Sequence, residues 1–338
     1  MKMKNLFLGM SLLTAAGLWT GCSNDEVVDA ADGKQAISFR VQGGMPDLRA
    51  TGTTKAYVDA FVVYGTDNVF AAKDELIFDG VTVALQTDGT FDYAPKRFHA
   101  EGAVNAGYFA FSPASAKVSN PVTAGFLTAG ASFDYTVPKP DDSGNTTQED
   151  LLVSNTAVAA ILSYVNLDFT HALSRIFITA SNHSVEPVII DTLTLRNLFS
   201  KGTLKVNAPS ATWAWTDHTD KMDYQYMLAP TGVAVPANSL SMKLVTSMEQ
   251  GMMVLPQETA NTGSIFDFDP GDFALEVKYQ FANLGKQTKL IMVHDGFEFE
   301  ANKQYLIHID FTAWAIEFTI DVLDFENYGL INVLELLE

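Results

Sequence analysis

Residues 36–41 read Ala36-Ile37-Ser38-Phe39-Arg40-Val41. Side chains along a strand point alternately to its two faces, so Ile37, Phe39 and Val41 fall on one face and Ser38 and Arg40 on the other. β-Branched and aromatic residues of this kind suit a pleated, half-buried surface. The stretch predicts a strand with its apolar face on a core. Gly43-Gly44-Met45-Pro46 follows and ends it, leaving an accessible stretch.

The same grammar recurs downstream. Residues 57–64 (YVDAFVVY) read as a more buried strand. Residues 80–85 and 90–93 flank the Thr87-Asp88-Gly89 turn as a hairpin. Residues 107–111 (GYFAF) run into Ser112-Pro113 and stop. Residues 138–145 (PKPDDSGN) form a solvated loop by composition, and a second domain is expected soon after. Further strands are expected at 164–169, 174–180, 189–195, 202–206, 251–255, 273–281, 289–293, 304–311 and 316–322. Residues 151–162 can form one short helix. Short strands broken by Gly, Pro, Asn and Asp predict an all-β sandwich or barrel class. No regular helix separates the strands, so the sheets are expected to be antiparallel.

The chain begins with Lys2 and Lys4, then an uncharged apolar run over residues 6–19. A spanning helix needs roughly twenty apolar residues, so this reads as a secretory signal. Leu18-Trp19-Thr20-Gly21-Cys22 resembles a bacterial lipobox, in which the cysteine thiol receives diacylglycerol and the signal is cut before it. Cys22 is the chain's single cysteine, so no internal disulfide can form, and lipidation accounts for the odd thiol. Two or more acyl chains anchor stably where one does not. The alternative is an ordinary cleaved signal that happens to hold a cysteine.

Removing residues 1–21 takes away two lysines and no acid, which moves the net charge from −19 to −21. Nucleic-acid binding needs a basic footprint, so that partner is excluded, as is docking on an anionic membrane face. With 47% apolar residues the mature chain can bury a large core, and its length favours two domains.

The six histidines, His99, His171, His183, His218, His294 and His308, show no HExxH and no i, i+4 pair. No GxSxG and no phosphate loop is present. Asp267, Asp269 and Asp272 resemble part of a calcium loop but lack its closing glutamate, so a solvated turn is the plainer reading. Trp213 and Trp215 share a strand face and either pack on a sheet or stack on sugar rings. No enzyme, cofactor or metal site is read from the sequence.

Five segments in order resemble the fimbrillin family, the lipoprotein pilins of Bacteroidales type V pili. They are residues 47–51 (DLRAT) with 57–64; residues 89–93 (GTFDY) with 107–113 (GYFAFSP); residues 167–176 (LDFTHALSRI); residues 253–257 (MVLPQ); and residues 299–307 (FEANKQYLI). Ser23-Asn24-Asp25-Glu26 resembles the acidic tag behind the lipid cysteine of surface-exposed lipoproteins of the Bacteroidota.

The resemblance implies two transthyretin-like antiparallel β-sandwich domains in tandem after a lipoprotein signal peptide. The divisions are 1–21 signal, 22–49 lipidated pro-segment with the first strand, 50–155 N-terminal domain and 156–338 C-terminal domain. It implies a surface-exposed outer-membrane lipoprotein that becomes a fimbrial subunit, whether shaft, anchor or tip, and serves adhesion to an unidentified host or bacterial receptor. An arginine-specific protease would cut between Arg49 and Ala50 and release lipid and first strand; otherwise Arg49 is a surface arginine in a loop. The groove that Ile37, Phe39 and Val41 fill would then take a strand from another pilin subunit. Residues 329–338 (GLINVLELLE) carry the candidate donor residues Leu330, Ile331, Val333, Leu334 and Leu336, and either insert into a neighbour or finish the chain's own sheet. The competing reading is an anchored glycan-binding lipoprotein that does not polymerise.

Overall fold

The computed structural model describes residues 35–42, 58–73, 75–119, 130–139, 148–158, 161, 164–207, 212–227, 232–244, 251–259, 272–281, 284–292, 297–312 and 316–324. In chain order the strands are β1 (Ser38–Gln42), β2 (Ala60–Asp67), β3 (Phe78–Leu85), β4 (Phe91–Asp92), β5 (Ala106–Ser112), β6 (Ala131–Thr136) and β7 (Leu152–Val158). Next come β8 (Tyr164–Asp168), β9 (Thr170–His171), β10 (Ser174–Asn182), β11 (Val188–Asn207), β12 (Thr212–Met227), β13 (Val233–Val235) and β14 (Ser239–Leu244). The last are β15 (Met252–Val254), β16 (Gln257–Glu258), β17 (Ala274–Phe281), β18 (Gly285–Met292), β19 (Glu298–Phe299), β20 (Lys303–Phe311) and β21 (Ile316–Asp324). One short helix, α1 (Asn68–Ala71), follows β2, its first turn capped by Asp67 Oδ1, which accepts from Val69 N and Phe70 N.

Eight strands form the first sheet in the order β8-β1-β4-β3-β2-β5-β7-β9. Its two end strands, β8 and β9, are separated in sequence by Phe169 alone. A sheet whose ends are one residue apart must curl until they meet. Inside the curl lies a cluster that includes Ile37, Phe39, Val41, Phe61, Val63, Phe78, Val83, Tyr93, Tyr108, Val165 and Leu167. The opposite faces of β2, β5 and β7 send Val62, Tyr64, Phe109, Phe111 and Val153 into a second, larger cluster. That cluster is completed by the sheets β14-β10-β20-β21 and β12-β11-β17-β18, with β15 on β10 and with β6 and β13 on β11. β2 and β5 therefore have water on neither side, and every residue of β5 is buried. Gly65 is required within β2, because a β-carbon there would lie 2.4 Å from Tyr108 Cδ1.

Strands cross residue 155 in both directions. β6 pairs with β11, from Lys201↔Thr136 to Val206↔Ala131. β8 and β9 pair with β1 and β7 of the first sheet.

Two expectations are corrected. The sheets are mixed rather than wholly antiparallel: β1 runs parallel to β8, and β10 parallel to β20. Residues 152–158 form a strand, β7, instead of part of a helix. β7 lies between β5 and β9, with Leu152 in one cluster and Val153 in the other, so burial on both sides erases the alternation that marks a strand. The hairpin around Gly89 forms as expected, with Ala84↔Asp92 and Leu85↔Phe91 paired and Gly89 at φ +86.

Candidate functional site: the slot of the first strand

β1 is an inserted strand. Five of its residues pair with β8, from Ser38↔Tyr164 to Gln42↔Asp168, and Phe39 pairs with Phe91 of β4 on the other side. Ile37, Phe39 and Val41 are 1%, 4% and 6% exposed, while Ser38 and Arg40 face out. The period of two in the sequence thus becomes the two sides of the strand.

Phe39 sits among four rings. Those of Phe61, Phe78, Tyr93 and Tyr108 lie 5.7, 5.2, 5.9 and 5.9 Å away, all edge-on. Each such pair contributes about 0.5–1.5 kcal/mol beyond the burial of its area. The backbone of Ile37 is held at both ends: its N–H donates to Arg97 O at 3.0 Å, and its carbonyl accepts from the Tyr93 hydroxyl at 2.5 Å. Burial pushes the Tyr93 phenol up to about 12, so it remains a donor at any physiological pH. Outside, the Arg40 guanidinium lies 3.9 Å over the Tyr164 ring.

A polar chain underlies the slot. Tyr108 Oη lies 3.2 Å from His99 Nε2, and His99 Nδ1 lies 3.4 Å from Asp67 Oδ2. Asp67 is fully buried, and its Oδ2 also accepts from Ala100 N at 2.9 Å. Burial lowers the His99 pKa; the Asp67 carboxylate opposes that but does not overcome it. The unfolded chain, with histidine near 6.5, therefore binds a proton more readily than the fold does. This contribution to stability is complete above about pH 6.5 and is lost as the pH falls from there toward the lower folded value. His99→Gln is expected to flatten the fall in urea midpoint between about pH 7.5 and 5. An unchanged slope would show that His99 is not the group responsible.

Of the remaining residues singled out in the sequence, Cys22, Arg49, Ala50, Leu330, Ile331, Val333, Leu334 and Leu336 lie outside the described residues, as do His294, Asp267 and Asp269. Asp272 is buried, its carbonyl accepting from Asn197 Nδ2. Trp213 and Trp215 pack against the larger cluster, and Trp215 Nε1 donates to Ala172 O at 2.6 Å. The cavity beneath Trp215, lined by Phe109, Phe133 and Leu204 among others, is about 10 Å³, far smaller than a sugar ring.

One polar group was not legible in sequence. Thr179 and Ser181 of β10 meet His308 and Asp310 of β20, and His183 joins them. Thr179 Oγ1 lies 2.9 Å from His308 Nδ1, while His308 Nε2 and His183 Nε2 lie 3.2 and 3.1 Å from Asp310 Oδ1, which also accepts from Ser181. The parallel register Thr179↔His308 and Ser181↔Asp310 puts them on one face. His308 is buried, so this is a satisfied polar network rather than an open catalytic cleft. Among the described residues no group of three or more His, Cys, Asp or Glu is arranged to hold a metal ion.

Fold and slot define a class first: an all-β module whose leading strand occupies a ring-lined groove. The chain belongs to the fimbrillin-like family, which residues 49–324 match. That membership places it among fimbrial proteins rather than enzymes. A fimbrial protein from Bacteroides vulgatus has a similar fold, with a TM-score of 0.58 at 14% identity over 86% of this chain and 99% of that one. A candidate cell adhesion protein from Bacteroides uniformis gives 0.51 at 16% identity over 86% and 99%. Another from Bacteroides ovatus gives 0.50 at 13% over 86% and 97%. At these identities the likeness is one of fold. No curated protein matches the sequence.

Proposed function

We propose that the chain is a fimbrial subunit, whether shaft, anchor or tip, assembled by protease-triggered strand exchange. It is exported on residues 1–21, lipidated at Cys22 and held at the outer-membrane surface. An arginine-specific protease cuts between Arg49 and Ala50. The cut releases lipid and β1 together, and the emptied slot accepts a strand from the C-terminal end of another pilin subunit. The rest of the chain, two transthyretin-like sandwich units in tandem, joins the fimbrium and serves adhesion.

The observation that carries this reading is the placement of β1. It is a short strand wedged between β4 and β8 by three buried side chains, yet it stands upstream of Arg49. The family match begins at residue 49 and leaves β1 outside it. An edge stripped of its strand offers unpaired N–H and C=O groups and open pockets, which is the arrangement that captures an added strand. The cavity beneath Trp215, about 10 Å³, gives no support to a glycan site.

The test is the N-terminus of the protein in sheared surface filaments. Filament protein is expected to start at Ala50, and Arg49→Ala is expected to leave a lipidated, cell-bound chain and no filaments. Filaments whose subunits retain Cys22 and β1 would overturn the reading.

A further inference from the structure

The slot holds the pattern Ile37-x-Phe39-x-Val41, a phenylalanine with β-branched residues two places either side. Of the chain's 23 phenylalanines one other has that setting: Phe318, in Ile316-Glu317-Phe318-Thr319-Ile320. The likeness reaches one residue further, since Ala36 precedes the first stretch and Ala315 the second. The 338 residues thus contain this side-chain set twice, once as the occupant of the slot and once in β21.

β21 is also placed to be given away. It stands at the end of its sheet, in the order β14-β10-β20-β21, and among the described residues its ladder partner is β20 alone. Ile316 and Ile320 are only half-buried there, Glu317 and Thr319 are exposed, and Val322 is 49% exposed. In the slot, by contrast, the three apolar side chains are buried and the strand has a neighbour on each side. Moving residues 316–320 into an emptied slot exchanges the ladder with β20, and the partial packing of Ile316 and Ile320 on the larger cluster, for a site with a strand on each side. The candidate tail offers no such fit. Its neighbouring aromatics, Phe325 and Tyr328, have Asn327 and Glu326 two places away, which would set a polar side chain beside the four-ring pocket.

We infer that the strand entering the vacated β1 slot is residues 316–320 of a second copy of this chain, with Ile316, Phe318 and Ile320 at the positions of Ile37, Phe39 and Val41. This rests on the strand-exchange reading and specifies its partner. The donor runs in the direction of β1, parallel to β8, so Thr319 takes the place of Arg40 opposite Asn166. Glu317 takes the outward place of Ser38, so no charge enters the core.

A cysteine pair tests the register. Asn166 and Thr319 are both exposed, so Asn166→Cys with Thr319→Cys leaves the cores intact. Neighbouring positions on paired strands fall within disulfide reach. Filaments carrying both substitutions are expected to give a ladder of covalent multimers on non-reducing gels. The ladder is expected to vanish with either cysteine alone, and in the Arg49→Ala background where β1 still fills the slot. Filaments that start at Ala50 but do not cross-link overturn the donor assignment and leave strand exchange standing. Cross-linking of Asn166→Cys to Val333→Cys instead overturns it in favour of the tail. Filaments whose subunits retain β1 remove both readings together.

Discussion

Phe39→Ala is expected to lower the unfolding free energy of the uncut chain by about 3–5 kcal/mol. The ring is almost wholly buried and touches four others edge-on, so truncation removes transfer energy and ring pairing at once. The space it leaves closes poorly, because Phe61, Phe78 and Tyr108 come from three different strands already fixed by their ladders. Phe39→Leu fills part of the gap and is expected to cost less. Urea unfolding followed by tyrosine and tryptophan fluorescence reads the difference. A loss for the alanine variant below about 1 kcal/mol would mean that the ring is not part of the core.

Cutting after Arg49 with no donor present is expected to cripple the first sheet. Ile37, Phe39 and Val41 contribute roughly 1.5–3 kcal/mol each, so about 5–9 kcal/mol leaves with β1. A domain is stable by only about 5–15 kcal/mol, so the emptied sheet stands near its limit. β8 also loses its pairing along residues 164–168, and β4 its contact through Phe91. The cut protein is expected to bind a hydrophobic dye and to lose amide protection along β8, and both changes are expected to reverse when a peptide of residues 35–42 is added. A cut protein with an unchanged unfolding midpoint would show that β1 does not support the sheet.

How much of this could be read in advance differs from element to element. β1 was legible because one side faces water, so Ser38 and Arg40 mark the intervals between the buried residues. β7 was not, because both sides of its first half are covered and nothing there marks a period. β11 was expected as two strands at 189–195 and 202–206 but is one, kept together across shifts of register near Asn197 and Gly202. The parallel pairs were invisible for a different reason. β1 and β8 lie more than a hundred residues apart, and no local pattern states which distant strand will lie alongside. The slot follows the same division. Its filler could be read from six residues, but its walls, drawn from Phe61, Phe78, Tyr93, Tyr108 and Leu167, could not. The His183–His308–Asp310 network had only a same-face hint, His308 and Asp310 two apart on one strand. Its other half waits on β10.

β2, β5 and β7 have apolar side chains on both faces, and so form a party wall between two hydrophobic interiors. A disturbance on one side of such a wall cannot stay there, because the same backbone carries both sets of side chains. Loss of the leading strand would be felt in the strands beyond, β21's sheet among them, and refilling would stiffen both compartments at once. The wall ties the packing of one interior to that of the other, so neither can be rebuilt alone.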